Sequence, residues 1–216
     1  MSKKYEIFLF DLDGTITDSA LGITNSVMYA LKKFGIEETD RTKLYKFIGP
    51  PLTESFEKFY GFTKEQSLDG VKYYREYYHD KGIYENRVYD GLEEVLKKIN
   101  EAGKQAIVAT SKPEEYAKII IDHFHLTKYF ACVAGMEMDG GRGTKAQVIT
   151  YALEKNDITD TSNVLMIGDR EHDVIGAHEN GLDCLGILYG FGSRKEFEEA
   201  GADYIRENVE DILQFV

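Results

Sequence analysis

Two aspartates separated by one residue, in Phe10-Asp11-Leu12-Asp13-Gly14-Thr15, are the most chemically loaded feature of the chain. Carboxylates this close repel each other, which favours either a bound divalent cation or a raised pKa on one of them. An oxygen-rich acidic pocket suits Mg²⁺, which also takes phosphate oxygens. Gly14 lets the backbone turn away without a side chain in the cleft. Alone, an Asp-x-Asp-Gly run reads equally well as a turn or a loop calcium site. Three later features shift the balance. Thr110 and Ser111, followed by Lys112 and Pro113, offer hydroxyls that can donate to a phosphoryl oxygen. Lys145 opens a helical pattern after Asp139-Gly-Gly-Arg-Gly-Thr144. A helix start already favours an anion, and the ammonium adds a full charge. Gly168-Asp169-Arg170-Glu171-His172-Asp173 carries two acids at i and i+4, on one helix face or gathered at a helix entrance. Each has a bland reading: a helix cap for Thr110, Ser111 or Asp169, a solvated side chain for Lys145.

The elements that must position these residues decide between the readings. Tyr5–Phe10, Gln105–Thr110, Ala131–Ala134, Asn163–Ile167 and Cys184–Leu188 are short, near-continuous apolar runs, the pattern of parallel strands covered on both faces. Helical patterns lie between them at Leu92–Ala102, Glu114–Phe124, Lys145–Lys155 and Asp173–Asn180, with Gly103 and Gly181 at the expected ends. Strand and helix in alternation predict a doubly wound α/β sheet. Every candidate then falls at the C-terminal end of a strand or in the loop after it. That is where open α/β sheets bind ligands.

Residues 18–85 break the rhythm. Leu21, Val27, Met28, Leu31 and Phe34 recur at near-helical spacing up to Gly35, and Leu44–Ile48, Leu52–Tyr60 and Lys64–Lys81 also read as helices. An insert of about 65 residues is too long for a crossover. The expected organisation is an α/β core of residues 1–17 and 86–216 with a small all-helical domain at 18–85. Tyr73, Tyr74, Tyr77 and Tyr78 are expected on a packed helix with exposed hydroxyls.

Composition narrows the function. The 216 residues carry a formal net charge of −12. A generally acidic surface repels a phosphate backbone, so no nucleic-acid polymer is expected as a partner. The two cysteines, Cys132 and Cys184, lack the spacing of a metal or redox pair and read as buried reduced thiols. No signal-peptide pattern and no stretch of transmembrane length is present, so a cytoplasmic protein without a membrane partner is expected, with a monomer as the default. His79, His123, His125 and His178 show no triad or zinc spacing. Asp139–Gly143 lacks the Gly-Lys-[Ser/Thr] ending of a phosphate-cradling loop. Arg194–Glu199 reads as a solvated helix.

With its four motifs in order, the sequence resembles the haloacid dehalogenase-like hydrolase superfamily. The similarity is to the phosphoglycolate phosphatase-like branch, which carries a helical cap after the first strand. Its motifs match Asp11-Leu-Asp13-Gly14-Thr15, Thr110, Lys145, and Gly168-Asp169 with Asp173; Phe47-Ile-Gly-Pro-Pro-Leu52 resembles the cap's substrate-facing loop. The resemblance implies a Rossmann-like sheet of order 5-4-1-2-3 and an Mg²⁺-dependent phosphatase. Asp11 would be the nucleophile and Asp13 the acid–base group. Asp11, the Asp13 carbonyl and Asp169 would hold the metal, with Asp173 and Thr15 behind them. Thr110, Ser111 and Lys145 would bind the phosphate. The expected substrate is a small phosphorylated metabolite such as phosphoglycolate, a nucleoside monophosphate or a sugar phosphate. A phosphomutase would use the same aspartates but needs cap groups for a second phosphate, and none stands out. A non-enzymatic phospho-aspartate switch would be smaller and would carry its acceptor on a later strand.

Overall fold

The computed structural model describes residues 3–138 and 141–216. Asp139 and Gly140 of the glycine-rich run, and Met1 and Ser2, lie outside the described residues. The chain divides into two compact units, Met1–Thr17 with Val88–Val216, and Asp18–Arg87. The divide falls in two short strands that pair with each other, β2 (Thr17–Asp18) and β3 (Arg87–Val88).

The larger unit is built on a six-stranded, all-parallel sheet. Its strands are β1 (Ile7–Phe10), β4 (Gln105–Pro113), β5 (Phe130–Met136), β6 (Val164–Gly168), β7 (Asp183–Ile187) and β8 (Tyr204–Arg206), in the order β5-β4-β1-β6-β7-β8. Counted along the chain, the first five stand 3-2-1-4-5, which is the expected 5-4-1-2-3 read from the other edge. The correction is a sixth strand, β8, beside β7. Its three residues are all half-buried and show no alternation, so no period marks it in the sequence.

Successive residues of a strand point to opposite faces, and both faces of this sheet are covered. Leu9, Ile107, Ala109, Val164, Met166 and Cys184 pack with residues of α6 (Lys145–Lys155), α7 (Glu171–Glu179) and α8 (Arg194–Ala200). Phe8, Phe10, Ala106, Val108, Leu165 and Ile167, whose side chains alternate with those, are equally buried. α4 (Leu92–Glu101) and α5 (Glu114–His123) complete the flanking helices. Burying both faces is why these strands read as continuous apolar runs. α8 is less solvated than its sequence implied. Phe197 is fully buried in the core, and Glu196 bonds Arg170. Cys184 is buried, but Cys132 is only partly so, and both thiols are free.

The smaller unit contains α1 (Ala20–Lys33), α2 (Leu52–Tyr60) and α3 (Lys64–Asp80). The expected helix at Leu44–Ile48 is a 3₁₀ segment, Arg41–Phe47, started by the Asp40 carboxylate accepting from the Thr42 amide at 3.1 Å. Thr63 and Gln66 form a reciprocal capping box at the start of α3. An aromatic cluster fills the interior: Phe56 stacks on Phe62 and meets Phe47 edge-on at centroid distances of 5.6 and 5.2 Å. Tyr74 and Tyr78 are buried and stacked at 5.3 Å, so only part of the tyrosine cluster faces outward. Among the described residues no helix is long and apolar enough to cross a membrane.

Candidate active site

β1 lies in the middle of the sheet between β4 and β6, and the chemistry-bearing residues gather at the C-terminal ends of these three strands. Asp11 follows β1 directly, and its amide continues the ladder by donating to Ile167 O at 2.9 Å. The chain then turns sharply, with the Ile16 and Thr17 amides both donating to Leu12 O. Gly14 makes the turn at φ +82°. A Cβ there would stand 2.0 Å from Asp169 Oδ2, so only glycine admits the carboxylate that β6 delivers.

Lys145 is the first residue of α6, whose start is set by a Thr144–Gln147 capping box. Its ammonium lies 2.8 Å from Asp11 Oδ1, 2.7 Å from Asp173 Oδ1 and 3.0 Å from Ala109 O. Two of its N–H groups donate hydrogen bonds, to Asp11 and Ala109, and the Asp173 contact is an ion pair. Burial opposes the Lys145 charge, but the Asp11 and Asp173 carboxylates outweigh it and hold the ammonium above its ordinary pKa. The backbone of α7 approaches closely at Gly176, where a Cβ would lie 2.7 Å from Lys145 Cγ.

Asp11, Asp169 and Asp173 each present a carboxylate oxygen, and these atoms lie within 4.8 Å of one another. Asp169 is fully buried, and its Oδ1 has no hydrogen-bond partner. Its Oδ2 accepts from the Phe191 amide at 2.8 Å. Burial, and then the charges of Asp11 and Asp173, push its carboxyl well above the usual carboxylate range. Burial and the Asp11 charge likewise raise Asp173, against the opposing pull of Lys145. Three crowded carboxylates, with Asp169 Oδ1 and Asp173 Oδ1 both lacking a hydrogen-bond partner, fit a small hard cation that takes oxygen ligands.

Asp13 faces elsewhere. Its Oδ2 lies 2.6 Å from Lys112 Nζ, and its Oδ1 is buried without a hydrogen-bond partner. Its carboxylate is outside the cluster formed by the other three aspartates. Thr110 is buried in β4, and its hydroxyl oxygen accepts from the Lys112 amide at 3.2 Å. Ser111, the next residue, is half-buried on the opposite face of the strand. Thr15 is buried, with its carbonyl accepting from Tyr189 at 3.1 Å. The expected residues are thus drawn to one sheet edge, with Asp173 in direct contact with Lys145.

Sequence reasoning assigned no role to Lys112 or to the loop Gly190–Phe191. β4 was expected to stop at Thr110 but runs to Pro113, which turns Lys112 inward two residues beyond Thr110. Strand alternation carried past Thr110 was the signal that would have found it. The loop after β7 had no signal of its own: Phe191 acts through a backbone amide, which any residue but proline offers.

A family model described as haloacid dehalogenase-like hydrolase matches residues 8–187. The chain belongs to the haloacid dehalogenase-like hydrolase family. It is 45% identical over 193 residues to a 5'-nucleotidase of Pseudomonas aeruginosa, covering 89% of this chain and 87% of that one. It is 35% identical over 187 residues to the tyrosine-protein kinase PtkA of Mycobacterium tuberculosis, covering 87% of this chain but only 63% of PtkA. Among solved structures, a predicted phosphatase from Clostridium acetobutylicum superposes with a TM-score of 0.94 at 47% identity, over 98% of each chain.

Proposed function

We propose that this protein is an Mg²⁺-dependent phosphatase that hydrolyses small phosphomonoesters through an aspartyl-phosphate on Asp11. One observation carries the reading. Asp11 ends the central strand with its carboxylate aligned by Lys145 at 2.8 Å and gathered with Asp169 and Asp173, while Asp13, two residues on, is held apart by a different lysine. Two neighbouring carboxylates in different surroundings can do different work.

In the first half-reaction an oxygen of the Asp11 carboxylate attacks phosphorus in line, and the ester P–O bond breaks. Asp13 gives a proton to the departing alcohol oxygen. In the second half, Asp13 takes a proton from water as that oxygen attacks phosphorus. The bond to Asp11 breaks, releasing phosphate and restoring the Asp11 carboxylate and the protonated Asp13 with which the cycle began. Lys145 donates to Asp11 and Ala109 O and is ion-paired with Asp173, so it orients Asp11 and has one N–H left for a phosphoryl oxygen. The Thr110 and Ser111 hydroxyls supply further donors to that phosphoryl group. Asp11 and Asp169, with the Asp13 backbone carbonyl, would hold the Mg²⁺, while Asp173 orients them through Lys145. Bound there, the cation would supply positive charge against that developing on the transferring oxygens.

The helical unit Asp18–Arg87 serves, on this reading, as the cap that selects the substrate. The nucleotidase relative makes nucleoside monophosphates the first substrates to try, ahead of phosphoglycolate and sugar phosphates. The test is phosphate release from such a panel, with Mg²⁺ and with EDTA. Release that requires Mg²⁺ and ranks the panel supports the reading. Turnover unaffected by EDTA removes the metal from it, and no release from any member removes the phosphatase.

A further inference from the structure

Lys112 is buried beside the proposed site, and the mechanism above leaves it without a task. It is placed there by the strand. β4 continues beyond Thr110, and in an extended chain residues two apart share a face. The pairing of β4 with β5 shifts register between Thr110 and Pro113, so the end of the strand departs from its regular course where Lys112 turns inward. β5 accommodates this with Gly135, where a Cβ would lie 2.6 Å from Lys112 O.

The partner of Lys112 is the informative part. Its Nζ lies 2.6 Å from Asp13 Oδ2, with both side chains largely buried. The second oxygen of Asp13, Oδ1, is buried and has no hydrogen-bond partner. One oxygen is thus fixed by an ion pair and the other is left open. Lys145 treats Asp11 in a parallel way, through Oδ1.

We infer that Lys112 is a positioning residue for acid–base chemistry: it fixes the Asp13 carboxylate through Oδ2 and keeps Oδ1 directed to the oxygens that gain or lose a proton. Each aspartate of the pair then has its own aligning lysine. Lys145 aligns the nucleophile, and Lys112 aligns the group that protonates the leaving alcohol and then deprotonates water. The inference rests on the phosphatase reading above. It makes no use of Lys112 as a substrate ligand, which separates it from a phosphate-binding role.

The test compares two substrates in the presence of Mg²⁺. p-Nitrophenyl phosphate has a leaving group that departs without a proton, whereas glycerol phosphate has an alkoxide that needs one. Lys112→Met should lower kcat for glycerol phosphate about 100-fold, the scale of displacing a reacting group by ~1 Å, with KM little changed. With p-nitrophenyl phosphate the same variant should show a burst of p-nitrophenol in the first turnover, followed by slow phosphate release, because water still needs Asp13. Lys112→Arg should restore much of the loss. If the Met variant melts early, Lys112→Gln takes its place in the same assay. A raised KM with unchanged kcat would make Lys112 a substrate ligand and overturn the inference. So would equal losses in the burst and in the later phase, or an absence of any effect. If the wild type releases no phosphate from these compounds or from the metabolite panel, the phosphatase reading fails, and the inference with it. An active wild type with an indistinguishable Lys112→Met variant removes the inference alone.

Discussion

The two units handle buried polarity in opposite ways. Among the described residues, every buried charged side chain lies in the α/β unit: Asp11, Asp13, Lys112, Lys145, Asp169 and Asp173. The buried polar residues of the helical unit are Ser19, Thr24, Ser26, Ser55 and Ser67, all neutral hydroxyls. That unit keeps its charged groups nearer the surface. Arg41 bonds Asn25 at 2.8 Å, Asn25 bonds Glu85 at 2.8 Å, and Tyr77 bonds the other Glu85 oxygen at 3.0 Å. Burying a charge is costly unless it is paired, and a pair missing one partner is worse than no pair. On the proposed reading, one unit accepts that cost because its charges do chemistry. The other follows the cheaper rule of an aromatic core under a polar surface.

The largest effect should come from breaking the charge balance of the α/β unit. Lys145→Met leaves Asp11 and Asp173 buried without their cation. It should abolish turnover and destabilise the metal-free protein by about 3–5 kcal/mol, measured by urea denaturation in EDTA. Adding Mg²⁺ should then raise its Tm by more than it raises that of the wild type. In the helical unit, Phe56→Ala removes a fully buried ring between Phe47 and Phe62. The cost should be about 3 kcal/mol, with a Tm response to Mg²⁺ identical to that of the wild type. An enlarged response in both variants would erase the distinction between the units.

Asp169→Asn should do less to stability and more to metal binding. Burial and the neighbouring charges of Asp11 and Asp173 already push this carboxyl toward its neutral form. The metal-free variant should therefore be no less stable than the wild type, while the Tm gain on adding Mg²⁺ shrinks sharply. A full gain would place the cation elsewhere.

The smallest effect should be at the far end of the sheet. Asp183 accepts from Tyr5 at 2.5 Å and from Lys3 at 2.8 Å. Burial works against its charge, but these donors prevail and hold its pKa below the usual carboxylate range. A carboxyl with a lowered folded-state pKa stabilises above its unfolded value, and that contribution is lost as pH falls through the folded one. Asp183→Asn should thus cost about 1 kcal/mol at neutral pH, discounted for partial exposure. The difference from wild type should begin to shrink as pH falls to about 3.9, the ordinary value for aspartate, and vanish only below the lower folded-state pKa.

Much of this molecule was legible because its signals are local. Apolar runs marked five strands to within a few residues, and the glycine-rich run ending at Thr144 made the start of α6 at Lys145 readable. The glycine at the turn after β1 was readable as a turn, but its deeper reason, the Asp169 carboxylate from another strand, is a long-range contact. The same holds for Asp173, whose meeting with Lys145 depends on α6 and α7 packing side by side. Lys112 was hidden by the polar, proline-ended run that closes β4, which reads as a loop. β8 was hidden by its short length and half-burial.

The central claim is that Asp11 carries the phosphoryl group. The direct measurement is acid quench and peptide mass spectrometry of the Asp13→Asn variant after incubation with Mg²⁺ and the best substrate of the panel, with Asp11→Asn alongside. Removing the base should slow hydrolysis of the intermediate, so one phosphoryl group should accumulate on the peptide containing Asp11 and be absent from Asp11→Asn, which should also release no phosphate. Phosphate release by Asp11→Asn at the wild-type rate, or phosphorylation mapped to another residue, would contradict the account.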